Sequence, residues 1–348
     1  MKIFDRMKKR GHEQIIFCLN KPTGLRAIIA IHDTTLGTSV GGTRLMGYER
    51  EEDAVVDALR LSEISTFQSA SFDSDMGGGA AVLMTEEGHE PDEAYFRAFG
   101  RFVEGLKGLF VAYPALGTTD RHFRYVRRET TSVAPMEGSH EITAVGVLAG
   151  IQACLREVTG SKNLKCRLVA VQGVGDVGSR LVDLLADEGA DIVITDVRYD
   201  ALKVVQDKHP DVTIVRPEEI LDLECDVLSP CAVGRILNDE TIPRLKCKIV
   251  AGAASDLLEE PRHADALKER GILYAPDFVI GGAELYQTEP ELKDAPRERL
   301  FEEAKRVYEV MAEVVSKAKK EGTTPYRIAV AAAARRVGRI RMVRNIMC

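Results

Sequence analysis

RLVAVQGVGDVGSRLVDLLADEGADIVITD, residues 167–196, is the stretch whose reading decides the fold. An apolar run, RLVAV, leads into Gln172-Gly173-Val174-Gly175-Asp176-Val177-Gly178, and SRLVDLLADEG then carries apolar residues at helical spacing. A second apolar run, DIVIT, ends at Asp196. A GxGxxG pattern by itself is weak, because glycine-rich turns are common. Here it has a strand before it, a helix after it and an acid at the end of the next strand, which is the context of a dinucleotide-binding turn. Gly173, Gly175 and Gly178 permit a tight turn and a close approach of backbone N–H groups to a pyrophosphate. The first amides of the helix, at Asp176 and Val177, add its favourable dipole. Asp196 would accept hydrogen bonds from the adenosine ribose and repel a 2′-phosphate, which favours NAD over NADP; Arg198, two residues on, works against that preference.

Downstream the alternation continues: ALKVVQDKH reads as a helix, and TIVR, CDVLSPCA, KIVAGAA and GILYAPDFV are short apolar runs. Strands alternating with helices predict a parallel, doubly wound α/β sheet. ITAVGVLAGIQACLREV, upstream, is a strongly apolar helix. LFEEAKRVYEVMAEVVSKAKKEG reads as one long amphipathic helix, with Val307, Val310, Met311, Val314 and Val315 on one face. Before residue 115 the pattern mixes the strands IIFCLN, LRAIIAIHD, AAVLM and LFVAY with the helices EEDAVVDALRLSEIS and EAYFRAFGRFVEGLKG. Gly77-Gly78-Gly79 reads as a loop ahead of AAVLM. These patterns predict an N-terminal α/β domain over 1–135 and a dinucleotide domain over 136–325. A C-terminal helical segment, 326–348, is expected to pack back on the first domain.

Composition sets limits. A chain of 348 residues with 45% hydrophobic content can bury two cores. A formal charge of -7 without a basic block argues against nucleic acid or an anionic membrane as partner. Seven cysteines, with no CxxC pair, point to reduced thiols in a cytoplasmic protein. The charged start MKIFDRMKKR lacks the apolar stretch of a secretory leader, and no apolar run is read as long enough to span a membrane. No metal-ligand spacing is read.

Taken together, the stretches GGTR (Gly41 to Arg44), DALRLS, the triple glycine, LGTT (Leu116 to Thr119), ITAVGV, VAVQGVGDVG, ECDVLSPCAVG, IVAGAA, EPRH and YAPDFVI make the chain resemble the leucine, phenylalanine and valine dehydrogenases. These form the short branch of the glutamate dehydrogenase family, and the likeness covers about residues 10–345. It implies an N-terminal substrate and assembly domain, a C-terminal NAD domain, a cleft between them and a homo-oligomer (dimer or higher) acting on a small molecule. It implies cofactor contacts at Thr143, Gly173, Gly175, Asp176, Val177, Gly178, Asp196, Val197, Cys231, Ala232, Ala253, Ala254 and Gly281, the last standing where an asparagine is usual.

The departures fall on the substrate side. Where the family has a lysine that holds the substrate carboxylate, this chain has Gln68; where a lysine that activates water follows the triple glycine, it has Ala80. Where an aspartate exchanges a proton with the amine, it has Ala115. Oxidative deamination needs those groups, and losing one such acid or base typically costs about a hundred- to ten-thousandfold in rate. Reduction of a preformed imine needs only a hydride and one proton, and a water-activating lysine would destroy its substrate. Three readings follow: an NADH-dependent imine reductase, an NAD-binding pseudoenzyme or partner subunit, or an amino acid dehydrogenase with relocated catalytic residues. His140 and Glu141 are the candidate proton donors. Gly42, Arg44, Gln68, Asp73, Asp75, Ala80, Ala115 and Glu284 are the candidate substrate residues, with Arg44 a possible carboxylate anchor. The acids Asp73, Asp75, Glu141 and Glu284, with two lysines gone, would suit a cationic imine such as one derived from arginine.

Overall fold

A computed structural model describes residues 2–86, 88–134, 138–289, 292 and 295–344. The chain divides into two compact units: unit 1 holds Met1–Glu137, Gln287–Lys293 and Ala333–Cys348, and unit 2 holds Gly138–Tyr286 and Asp294–Ala332. The domain boundary expected at 135/136 lies outside the described residues.

Unit 1 begins with helix α1 (Ile3–Arg10) and strands β1 (Gln14–Asn20), β2 (Leu25–Asp33) and β3 (Ser39–Met46), followed by α2 (Glu51–Ser71). Then come β4 (Gly77–Met84), α3 (Glu93–Gly105), β5 (Phe110–Pro114) and α4 (Asp120–Val126). The sheet order is β1-β2-β4-β3-β5; β1–β2 and β2–β4 are antiparallel, and β3 is parallel to both β4 and β5. Successive residues of β2 and β4 enter opposite cores, as the period-two geometry of a strand requires. Ile28, Ala30 and Val82 meet Ala54, Val55, Ala58 and Leu59 of α2 on one face. Ile29, Ala81 and Leu83 meet Phe96, Phe99 and Phe123 on the other. A sheet buried on both faces explains why LRAIIAIHD reads as a continuous apolar run rather than an alternating one.

Gly77-Gly78-Gly79 is strand, not loop: all three lie in β4 and are buried. A Cβ on Gly78 would come within 2.0 Å of Thr66 Oγ1 and 2.3 Å of the Thr66 amide nitrogen, and one on Gly79 within 2.8 Å of the Phe110 ring. The glycines let α2 and Phe110 press onto the sheet. The close approach expected of them is to the protein's own backbone.

Unit 2 contains α5 (Ser139–Thr159), β6 (Leu168–Gln172), α6 (Asp176–Asp187), β7 (Asp191–Thr195), α7 (Tyr199–Lys208), β8 (Thr213–Ile214), β9 (Val227–Pro230) and β10 (Ile249–Val250). It continues with α8 (His263–Glu269), β11 (Leu273–Tyr274), α9 (Asp277–Ile280), α10 (Arg297–Ala304) and α11 (Val307–Glu321). Helix α12 (Pro325–Arg344) starts among the residues of unit 2 and ends among those of unit 1. The six strands are all parallel, in the order β11-β10-β9-β6-β7-β8. This is the doubly wound α/β architecture expected from the alternation.

Two sequence expectations change here. The long helix expected over residues 300–322 is two, α10 and α11, broken by a turn at Lys305 and Arg306. Helix α5 is long and apolar enough to cross a membrane by length and composition, against the expectation that no such run exists. Of that stretch, 61% is buried inside the structure, so its hydropathy serves the core of unit 2.

Candidate functional site

In unit 2 the chain winds one way through β6, β7 and β8 and the other way through β9, β10 and β11, so the order reverses between β6 and β9. Ligands of open α/β sheets bind outside the carboxyl ends of the strands at such a point. There the last paired residues are Gln172 and Pro230. The loops that leave β6, β9 and β10 converge: the Cys231 amide donates to Gln172 O at 2.7 Å, and the Ala254 amide to Pro230 O at 2.9 Å. Gly173 has φ +92°, and a Cβ on it would stand 2.8 Å from Ala232 Cβ. A Cβ on Gly178 would come within 2.0 Å of Gly173 O, so α6 rests directly on the turn.

Gly175, the N-cap of α6, is different. Nothing lies nearer a Cβ there than the Arg198 guanidinium at 3.8 Å, so this side of the turn is open. The uncapped N-terminus of α6, with the Asp176 and Val177 amides, faces that space and favours an anion. Gln172 Oε1, close by in sequence, is buried without a partner. A tight turn, an open amide-lined edge and an orphaned acceptor fit a dinucleotide. Asp196 accepts from the Val174 amide at 2.9 Å and the Arg198 amide at 2.8 Å, which ties the end of β7 to the turn. The neighbouring Val197 is 88% exposed. Cys231 rests 3.7 Å from Ser229 Oγ, and burial pushes its thiol up. The contact with the Ala253 backbone pulls it the other way.

The remaining predicted residues of unit 2 lie on α5 and around α9. Thr143 is buried and donates to Ser139 O at 2.9 Å. Gly281 caps α9, its amide bonded to Asp277 O at 2.9 Å, and Glu284 lies half-buried in the 3₁₀ turn that follows. His140 Nε2 stands 3.8 Å from the Asp176 carboxylate, beside the start of α6, and remains partly exposed. Glu141 is engaged by two guanidiniums, Arg297 at 3.3 Å and Arg180 at 3.6 Å.

In unit 1, Gly42 pairs with Tyr113 across β3 and β5, and a Cβ on it would meet Ala115 Cβ at 2.8 Å. A Cβ on Gly41 would lie 2.9 Å from the Ala80 nitrogen. Gly42 of β3 and Ala115, the residue after β5, are thus packed together, and Ala80 lies on the neighbouring strand β4. Ala80 is 1% exposed and Gln68, on α2, 4%. Arg44 is not available as a carboxylate anchor. Its Nη1 bridges both oxygens of Asp57 at 2.9 and 3.0 Å, and Tyr48 donates to the same carboxylate at 2.5 Å. Burial pushes the Tyr48 hydroxyl well above its usual value, and the Asp57 charge adds to this.

Asp73 and Asp75 are likewise accounted for. Arg336, on α12, donates to Ser74 O at 2.6 Å and to Asp75 Oδ1 at 3.0 Å, and its Nε lies 3.4 Å from Asp73. Further along α12, Arg341 pairs with Asp33, and Arg344 donates to the carbonyls of Thr34 and Leu36. Three of the four acids expected to create a negative substrate site thus face arginines, which removes most of the charge argument for a cationic substrate. The sequence signal missed was the run of arginines from Arg335 to Arg344.

Residues 12–132 match the family described as Glu/Leu/Phe/Val dehydrogenase, dimerisation domain, and residues 194–344 match Glutamate/Leucine/Phenylalanine/Valine dehydrogenase. A leucine dehydrogenase of Thermoactinomyces intermedius is 41% identical over 99% of this chain and 96% of its own length. The chain belongs to the Glu/Leu/Phe/Val dehydrogenase family. A phenylalanine dehydrogenase of Lysinibacillus sphaericus is 40% identical, over 89% of this chain and 84% of that one. Among solved structures, the L-tryptophan dehydrogenase from Nostoc punctiforme superposes with a TM-score of 0.77 at 36% identity, covering 97% of this chain and 99% of that one. Members of this family are oxidoreductases of the amino-acid C–N bond that use NAD(H).

Proposed function

We propose that the protein is an NADH-dependent imine reductase whose substrate is an amino-acid-derived imine with an uncharged side chain. The observation that carries this reading is the pairing of a complete cofactor turn with a substrate side whose three expected catalytic positions hold Gln68, Ala80 and Ala115. When bound, the cofactor supplies the hydride. Neither Ala80 nor Ala115 can accept a proton, so neither activates water against a C=N bond, and an imine survives beside them. With Arg44 held by Asp57, no anchor for a substrate carboxylate is proposed. With Arg336 shared between Asp73 and Asp75, and Glu141 held by Arg180 and Arg297, less negative charge is left to draw a cationic side chain, and a neutral one is favoured.

Of the two candidate proton donors, Glu141 is occupied by Arg180 and Arg297, which leaves His140. His140 Nε2 lies 3.8 Å from the Asp176 carboxylate, a neighbour that would stabilise an imidazolium formed there. The protein is further proposed to act as a homo-oligomer. Strand β1 is an edge of the sheet, with Phe17 59% and Leu19 70% exposed, a surface that suits pairing with a second copy.

The test is to follow NADH absorbance with a panel of cyclic and acyclic imines bearing neutral and cationic side chains. Turnover of neutral imines, reduced by His140→Asn, is expected. No turnover with any imine while NADH still binds would leave an NAD-binding pseudoenzyme. Oxidation of L-leucine or L-phenylalanine at rates like those of imine reduction would leave a dehydrogenase with relocated catalytic groups.

A further inference from the structure

We infer that Arg198 forms a phosphate-accepting position beside Asp196, so that this chain binds NADPH as well as NADH. Nothing in this depends on which reaction follows binding. In a site selective for NAD, the acid at the end of the second strand excludes the 2′-phosphate because its charge is unopposed and its oxygens are free for the ribose hydroxyls. Here the charge is opposed, and each carboxylate oxygen already accepts one backbone amide, keeping one further lone pair for a ribose hydroxyl. Asp196 Oδ2 already accepts from the Val174 amide at 2.9 Å and Oδ1 from the Arg198 amide at 2.8 Å. The side chain is 9% exposed, and the Arg198 Nε lies 3.7 Å from Oδ1, so the negative charge is balanced by a positive one.

The arginine itself is well presented. Its side chain is 60% exposed, and its Nη2 is the atom nearest to the open face of Gly175, 3.8 Å from where a Cβ would stand. It is also the N-cap of α7, a helix of ten residues whose first amides have no side-chain cap. An anion at this corner would meet a planar guanidinium able to bind a phosphate through two N–H groups, with the helix dipole behind it.

The experiment is calorimetric titration of the full-length protein with NADH and NADPH, in wild type, Arg198→Gln and Arg198→Lys. NADPH should bind wild type within about tenfold of NADH. A charge-assisted hydrogen bond contributes about 1.5–3 kcal/mol, so Arg198→Gln should weaken NADPH roughly ten- to a hundredfold while moving NADH less than about threefold. Arg198→Lys should recover part of the loss, because it restores the charge without the fork. NADPH binding undetectable in wild type beside normal NADH binding would overturn the inference. So would Arg198→Gln changing both cofactors equally, or neither. Failure of wild type to bind even NADH would overturn it together with the cofactor site itself, a result distinct from the others.

Discussion

Acid should destabilise this protein through a histidine of unit 1. His12 is buried, its Nε2 donating to Leu59 O at 2.7 Å, while its Nδ1 has no partner. Its ring lies edge-on to His32, with centroids 4.6 Å apart. His32 is occupied on both sides, by Thr66 Oγ1 at 2.8 Å and by Arg10 O at 2.9 Å. Burial first, and the His32 neighbour second, lower the His12 pKa from 6.5 to about 4. The sign follows from that order of values. Above 6.5 both folded and unfolded chains are neutral at this residue and it has no pH effect. Between 6.5 and about 4 the unfolded chain takes up a proton that the folded one refuses, so stability falls as pH falls. The shift corresponds to about 3 kcal/mol once complete, and to about 2 kcal/mol between pH 7 and pH 5. His12→Gln retains a donor able to reach Leu59 O but cannot titrate. Urea unfolding followed by circular dichroism at both pH values should show the variant losing about 2 kcal/mol less than wild type over that interval. An identical pH loss in the two proteins would refute the assignment, whatever the absolute stability of the variant at pH 7.

Gly78→Ala would drive a methyl group into Thr66, and helix α2 cannot retreat without leaving the sheet; a loss of about 2–3 kcal/mol is expected in the same assay. A loss below about 0.5 kcal/mol would mean that α2 is not pressed onto β4 as described. Asp196→Ala should narrow the ratio of NADH to NADPH affinity, and calorimetry showing a wider ratio would contradict the role given to that acid. L-Leucine, L-valine and L-phenylalanine should give essentially no NAD reduction in a spectrophotometric assay; turnover near that of an ordinary dehydrogenase would mean that other residues replace the absent lysines and aspartate.

How much of this was legible depended on the range of the interaction behind each feature. Strand β2 runs from Leu25 to Asp33, as its apolar run predicted, and the turn at Gly173–Gly178 sits between a strand and a helix as its context required. These are local signals, in which residues specify their own backbone. Strand β3 was not read. Gly41 and Gly42 at its centre give the pattern of a turn, yet they are there because β4 and Ala115 crowd both flanks. Gly77–Gly79 misled in the same way, since what demands glycine is a helix fixed by tertiary packing. The partners of Asp73 and Asp75 were beyond reach for a different reason: Arg336 is separated from Asp75 by 261 positions, and no periodicity connects them. Arg44 was readable only as a choice between anchor and structural ion pair, and the choice fell to Asp57, thirteen residues on.

The contrast between the cofactor residues of unit 2 and the expected substrate residues of unit 1 has a physical logic under the proposed reading. On the cofactor side, two of the three glycines are held in place by a contact that a side chain would break: Gly173 against Ala232, and Gly178 against the Gly173 carbonyl. Drift at these positions would cost binding of any dinucleotide. On the substrate side, the replacements are not polar stand-ins that keep a hydrogen bond. Ala80 and Ala115 remove the functional group altogether, and Ala80 is fully buried, paired across the sheet with Ala30. An enzyme that must add water to an imine needs a charged base there; one that must keep water off needs a small apolar surface. Hydride transfer is indifferent to the change, because it depends on how the nicotinamide and the C=N carbon are held and not on a base. Under that reading, the replacements at Gln68, Ala80 and Ala115 would all fall on proton handling and carboxylate binding, leaving the hydride half of the chemistry with its cofactor turn.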